Sequence, residues 1–273
     1  MADGADYKGR LALVTGAGDG IGAMLAHGFA GLGMRVCVQD IRVEAAEQVA
    51  EAIERAGGRA FPLIFDVSDR DGAAEAAEAL QDRGERLSVL WLNAGVGVGS
   101  PVIAGKARAV EWAYAVNALG VIWTAQTFRP LMDTKTPACH VGITASTAAL
   151  RPPEGPFPLY AATKHATFAI AESLRSELAE DGIGVTILCP GLLNTDIWDG
   201  ARARPERFGG PVRMDPAIAG RWRDAKRPEV MWPYIERTVL NGGGYLVCAT
   251  DSGETRAVFD ARAEAIRNAI VEV

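Results

Sequence analysis

The feature that most constrains this chain is a regular alternation of short apolar runs with helical stretches, starting at residue 10 and continuing almost to the end. Strand-length runs occupy residues 10–15 (RLALVT), 35–39 (RVCVQ), 60–65, 88–92, 140–144, 184–188 and 243–248 (GGYLVC). Between and after them, helical patterns cover residues 21–32, 43–56, 69–83, 107–132, 159–180 and 254–270, and Gly57-Gly58 stops the second of these. Strands that are apolar without a break are buried on both faces, and intervening helices make the crossovers that parallel strands need. The expected fold is therefore α/β, a doubly wound parallel sheet covered by helices on both sides.

No repeat, low-complexity tract or linker divides the 273 residues, so a single domain spanning 1–273 is expected. One stretch breaks the rhythm. Residues 197–231 hold Pro, Gly and Trp with no clear strand, directly after the sixth strand's C-terminal end, where open α/β sheets bind ligands. A long irregular insertion there reads as a substrate lid.

The formal net charge of −6 gives no general attraction for phosphate backbones or anionic lipid, so neither nucleic acid nor a membrane surface is an expected partner. No apolar run approaches the roughly 18 residues of a membrane span, and the start MADGADYKGR lacks a signal-peptide pattern, so a cytoplasmic location is expected. Cys37, Cys139, Cys189 and Cys248 show no metal-type spacing and read as buried thiols of a reducing compartment. The scattered His27, His140 and His165 add no metal site.

Between the first strand and first helix stands Thr15-Gly16-Ala17-Gly18-Asp19-Gly20-Ile21-Gly22. Gly16, Gly20 and Gly22 give the spacing GxxxGxG. Glycines there allow a tight turn and let a pyrophosphate approach the backbone at a helix N-terminus, which makes the sheet Rossmann-type. Asp40 ends the second strand 18 residues beyond Gly22. An acidic residue roughly 20 positions on is the partner of a ribose 2′-hydroxyl, and its charge opposes a 2′-phosphate. The expected cofactor is NAD rather than NADP.

Farther along, Tyr160 and Lys164 are four residues apart on one helix and share a face. A nearby ammonium stabilises phenolate and lowers a tyrosine from about 10 toward working pH. Tyr160 is thus poised as general base for alcohol oxidation and as acid in reverse, with Ser146 positioned to stabilise charge on the substrate oxygen.

Taken together, these motifs resemble the short-chain dehydrogenase/reductase family. The turn containing Ile21 looks like TGxxxGxG, Asp66-Val67 like the adenine-contacting pair, and Asn93-Ala94-Gly95 like NAG, with Leu92 in place of the usual first Asn. Tyr160-Ala-Ala-Thr-Lys164 matches YxxxK, and Pro190-Gly191 with Leu193 and Thr195 matches the segment that contacts the nicotinamide carboxamide. The resemblance covers roughly residues 10–196. It implies that Asn117 holds a water in a proton relay to Lys164, that Lys164 binds the nicotinamide ribose, and that helices 107–132 and 159–180 build a homodimer or homotetramer. Ser146 and Tyr160 stand 14 apart, about one residue more than is common, and the proline-rich loop between them absorbs the difference unless Thr147 takes the serine's place.

The lid's Ile197, Trp198, Phe208, Met214 and Trp222, with Leu192 and Leu193 before them, suit a hydrophobic alcohol or ketone. Leu192, Trp198 and Phe208 are the candidate substrate contacts. Seven arginines (202, 204, 207, 213, 221, 223 and 227) and Lys226 stand against five acids in the lid, and either pair a ligand anion or face solvent. The Arg204-Pro205-Glu206-Arg207-Phe208 stretch and the ending GYLVCAT look like the Cα-dehydrogenases of lignin β-aryl ether degradation, which implies a bulky aryl secondary alcohol. The alternatives are an NADP-linked carbonyl or 3-oxoacyl reductase and, in another class, a cofactor-binding regulator without catalysis.

Overall fold

The computed structural model describes residues 4–152, 157–212, 222 and 224–270. In chain order the elements are α1 (Gly4–Tyr7), β1 (Leu11–Val14), α2 (Gly20–Gly31), β2 (Arg35–Asp40), α3 (Val43–Arg55), β3 (Arg59–Ile64), α4 (Arg70–Asp82), β4 (Leu87–Leu92), α5 (Ala107–Tyr114), α6 (Gly120–Phe128), β5 (His140–Thr144), α7 (Pro158–Ala179), β6 (Gly184–Pro190), α8 (Trp232–Leu240), β7 (Gly243–Cys248) and α9 (Ser252–Asn268). Among the described residues, seven strands form one sheet ordered β3-β2-β1-β4-β5-β6-β7. Every pairing is parallel. This is the expected doubly wound Rossmann-type sheet in a single domain. The chain winds outward from β1 to β3, returns to β4 and winds the other way. That reversal opens a crevice at the strands' C-terminal ends, beside β1 and β4.

Two apolar layers sandwich the sheet. One packs α4 to α7 against residues such as Leu13, Leu90 and Ile143, and the other packs α2, α3 and α8 against Val14, Val89 and Trp91. Trp91 is fully buried, meets Phe29 at 5.7 Å between ring centroids, and donates its indole N–H to Thr144 Oγ1 at 3.0 Å. Truncating an indole packed this way costs on the order of 3–5 kcal/mol. The middle strands β1, β4 and β5 are buried along their whole length, as their continuous apolar runs require.

Three features depart from the sequence reading. The helix expected over 107–132 is α5, a π-helical turn at Ala115–Leu119, α6 and a 3₁₀ turn at Arg129–Leu131. Helices do not cover the edges as they do the centre: Tyr245 and Val247 of β7 are exposed, and α9 has no buried residue. The insertion at 197–231 contains 3₁₀ turns, Asp196–Ala203, Glu206–Phe208 and Pro228–Met231, and leads into α8, which the sequence reading left unassigned. Met214, Arg213, Arg221, Arg223 and residues 153–156 of the proline-rich loop lie outside the described residues.

Cys37, Cys139 and Cys189 are buried free thiols and Cys248 is half-buried and free. Among the described residues, no cluster of His, Cys, Asp and Glu suits a metal, and no helix is long and apolar enough to cross a membrane.

Candidate active site

At the crevice the chain leaves β1 and turns into α2. Gly16 (φ 60°) and Gly20 (φ 54°) both adopt the left-handed conformation that side chains disfavour. Buried polar groups fix the turn from below. Gly16 N–H donates to Gln39 Oε1 (3.1 Å), and Gln39 Nε2 donates to Phe65 O (2.5 Å). The Thr15 hydroxyl accepts from Asn93 N–H (2.9 Å) and Ala94 N–H (3.0 Å), while Asn93 Nδ2 donates to Thr15 O (3.0 Å). The NAG segment is therefore a brace for the glycine turn as well as part of the wall.

A cavity of about 640 Å³ runs along the C-terminal ends of the strands. Its lining includes Gly16, Gly20, Ile21, Gly22, Asp40, Asp66, Val67, Asn93, Ala94 and Gly95, together with Ser146, Tyr160, Lys164, Pro190, Gly191, Leu192, Leu193, Thr195 and Trp198. The sequence reading named all of these. Asn117 stands behind the wall, and the lining set does not include Phe208, whose ring packs against the core on the α4–α7 side.

Asp40 is buried at the cavity rim. Its Oδ2 accepts from Gly18 N–H (3.0 Å), its Oδ1 from Arg42 N–H (2.9 Å), and the Arg42 guanidinium lies 3.1 Å from Oδ1. The same guanidinium reaches Asp19 in the glycine turn at 2.8 Å. Asp66 Oδ1 accepts from Ser68 N–H and the Ser68 hydroxyl, at 2.8 and 2.7 Å. Arg42 was missed by the sequence reading. Its signal was its place two residues after Asp40.

At the other end, Ser146 sits just after β5. Its Oγ accepts from Ala148 N–H (3.1 Å), capping a short 3₁₀ turn. Tyr160 and Lys164 lie in the first turns of α7, both buried. Burial pushes the Tyr160 phenol up to about 12, and a hydrogen bond with Ser146 pulls it down. Burial also pulls the Lys164 ammonium down to about 8, with nearby Cys189 opposing. Lys164 Nζ donates to Thr144 O (3.0 Å) and lies 5.9 Å from the Tyr160 ring centroid. The anticipated lowering of Tyr160 by Lys164 is thus absent from this geometry: burial sets the direction, and the ammonium is turned to Thr144 O.

The π-helical turn explains Asn117. Widening the helix there turns its amide onto the backbone of the fourth strand's exit loop, where Oδ1 accepts from Val96 N–H (2.8 Å) and Nδ2 donates to Val96 O (3.0 Å) and Thr163 Oγ1 (2.9 Å). Both amide hydrogens and one lone pair of Oδ1 are engaged. Its backbone carbonyl likewise accepts one bond, from Thr167 Oγ1 at 2.6 Å, and keeps a lone pair that a water could meet.

Above Tyr160 stand three aromatic rings. Trp198 lies 5.2 Å from Tyr160 and 4.1 Å from Phe157, and stacks on Trp222 at 4.7 Å. Gly97 gives Trp198 its seat: a Cβ there would come within 2.5 Å of the indole. Phe157, at the loop end, was not among the residues singled out from sequence.

A doubly wound parallel sheet with a glycine turn at its reversal point and a Ser–Tyr–Lys set at the far end of one cavity defines a dinucleotide-binding oxidoreductase architecture. Comparison with known proteins agrees. The family model for short chain dehydrogenase matches residues 10–206, and the chain belongs to that family. It is similar to the C alpha-dehydrogenase of Sphingobium sp., 28% identical over 248 residues that cover 89% of this chain and 81% of that one. It is also similar to the "Probable oxidoreductase EphD" of Mycobacterium bovis, 32% identical over 187 residues; these cover 68% of this chain but 31% of that longer protein. Among solved structures, a short chain dehydrogenase/reductase from Burkholderia phymatum in complex with NAD superposes with a TM-score of 0.87 at 27% identity, covering 98% of each chain.

Proposed function

We propose that this chain is an NAD-linked oxidoreductase that interconverts a bulky, aryl or otherwise hydrophobic secondary alcohol and its ketone, with Tyr160 as the general base and acid. The observation that carries the reading is the convergence of Ser146, Tyr160 and Lys164 at the aromatic end of a cavity whose other end is the glycine turn.

The residues present fit a dinucleotide. The left-handed glycines leave the backbone bare where a pyrophosphate would lie, and Asp40 offers the carboxylate for the adenosine ribose. Gly16, Gly20 and Gly22 would hold the pyrophosphate, Asp66 and Val67 the adenine, and Thr195 with Lys164 the nicotinamide end. When bound, the nicotinamide supplies hydride exchange with the carbinol carbon. Tyr160 moves the proton at the substrate oxygen and Ser146 donates a hydrogen bond to that oxygen, while Lys164, held by Thr144 O, serves the nicotinamide end. Asn117 holds the Val96 loop and, through its carbonyl, a water leading toward Lys164. Trp198, Phe157 and Trp222 shield the reacting carbon from water and stack on a flat substituent.

Arg42 favours a second reading, an NADP-linked reductase, because an arginine beside the ribose site can receive a 2′-phosphate. Its charge is already met by Asp19 and Asp40, which supports NAD. Comparing kcat/KM with the two cofactors decides: NAD is expected to win by at least about tenfold, and a preference for NADP overturns the cofactor assignment. Asp40→Ala should shrink that advantage by about tenfold or more, since it removes the ribose acceptor and frees Arg42. For the substrate, Trp198→Ala is expected to raise KM for an aryl secondary alcohol roughly tenfold, with little change for 2-propanol. An equal effect on both alcohols would sink the aryl preference.

A further inference from the structure

We propose that Arg202 and Arg207 latch the lid across the adenosine half of the cavity and so control how long the cofactor stays bound; this rests on the dinucleotide reading above. The lid's surplus of bases is read from the sequence as either pairing a ligand anion or facing solvent, but the described contacts of these two arginines run to carboxylates of the chain itself. Arg202 Nη2 lies 2.9 Å from Asp19 Oδ2, and its Nη1 holds Asp199 at 2.9 Å and Asp196 at 3.3 Å. Arg207 Nη2 donates to Asp66 Oδ2 (2.6 Å) and Ser68 Oγ (2.7 Å). Asp19 belongs to the glycine turn and Asp66 to the adenine pair, so both anchors are parts of the cofactor cleft.

The contacts join segments 183 and 141 residues apart in the chain. Asp19 is shared with Arg42, which also holds Asp40, so a lid guanidinium connects through one carboxylate to the end of β2. Meanwhile Arg202, Ala203 and Pro205 line the same cavity as Asp40, Phe65 and Asp66. The lid therefore roofs the adenosine end, while Trp198 roofs the reacting end. On this reading, a dinucleotide seated there lies under these ion pairs, and their parting sets how quickly it leaves.

The pairs suit a latch that must open in every cycle. The Arg207 and Asp19 side chains are 46% and 40% exposed, so each contact is modest and weakened by salt. Arg202 and Arg207 are positioning residues, since they act on retention through the lid and stand apart from the reacting atoms. Opening of such covers sets turnover in many enzymes.

The test is NADH release, followed by stopped-flow fluorescence after displacement with excess unlabelled cofactor, at low and high salt. Release is expected to quicken about fivefold in Arg202→Ala and in Arg207→Ala and more in the double variant, with association changed less than about twofold. High salt should quicken release from the native protein and have little further effect on the double variant. A merely structural pair of salt bridges would lower Tm without moving this release rate. Unchanged release in a folded double variant overturns the latch, as does salt-independent release from the native protein, a measurement that needs no variant. If the native protein binds NADPH but not NADH, the NAD assignment falls while the same experiment with NADPH still judges the latch. Binding of neither overturns both.

Discussion

Replacing Tyr160 by phenylalanine is expected to lower kcat/KM for the alcohol–ketone pair roughly a thousandfold, within the range a positioned proton donor supplies, while NADH affinity stays within a few-fold. The substitution removes one oxygen. The ring keeps its place beside Trp198, at 5.2 Å, and stays buried in α7, so the aromatic wall and the cavity shape survive. What is lost is the proton at the substrate oxygen and the partner of Ser146. Steady-state NADH absorbance and a fluorescence titration separate the two effects. Near-native turnover in Tyr160→Phe would remove Tyr160 from the chemistry, and loss of NADH binding together with turnover would assign it a structural role instead.

The same side chain sets the sign of the pH dependence. Burial holds the Tyr160 phenol up at about 12, so its proton is present throughout the neutral range. Ketone reduction, which uses the protonated phenol, should change little from neutral to mildly alkaline pH. Alcohol oxidation uses the phenolate, whose fraction grows about tenfold per pH unit below its pKa. The Lys164 ammonium is turned to Thr144 O and is not among the causes that set the phenol, so its own titration is not expected to break the profile. Oxidation is thus expected to climb steadily with pH from neutral into the mildly alkaline range.

The sequence announces this fold because each strand at the sheet centre is apolar along its whole length, and the parallel order leaves few ways to connect such strands. The candidate site was legible wherever its geometry depends on local spacing: the glycines of the β1–α2 turn, Asp40 at the end of β2, and Tyr160 with Lys164 one helical turn apart. It was hidden wherever the partner is distant in the chain. Nothing near Arg202 or Arg207 points to Asp19 or Asp66, which only the folded lid brings within 3 Å. The π-helical turn at Ala115–Leu119 leaves no periodic signature, since one extra residue per turn is lost in an otherwise helical pattern. Phe208 was an aromatic in a lid and looked like a substrate contact. Its neighbours turned it toward the core, a choice made by packing rather than by composition.

Among changes to the cofactor cleft, Gly22→Ala is expected to be the most damaging single methyl group. A Cβ at position 22 would stand 2.0 Å from Gly16 O, 2.7 Å from Gly16 C and 2.8 Å from Ala17 Cα. All three are backbone atoms of the turn, so no side-chain rotation relieves the clash. The backbone at Gly16 would have to retreat, taking with it the hydrogen bonds to Gln39 and Asn93 that hold the turn against the sheet. Overpacking of this kind costs about 1–3 kcal/mol, and the displaced turn no longer presents its amides to a pyrophosphate. NADH affinity should fall about a hundredfold or more, with Tm lowered by several degrees. The control is Gly31→Ala, a change of the same size on the same helix. Nothing lies within 4 Å of its Cβ and its backbone is helical, so it should leave NADH binding intact and keep or slightly raise stability. A loss of binding in Gly31→Ala as large as in Gly22→Ala would mean that the helix as a whole, and not the close approach of Gly22 to Gly16, shapes the cleft.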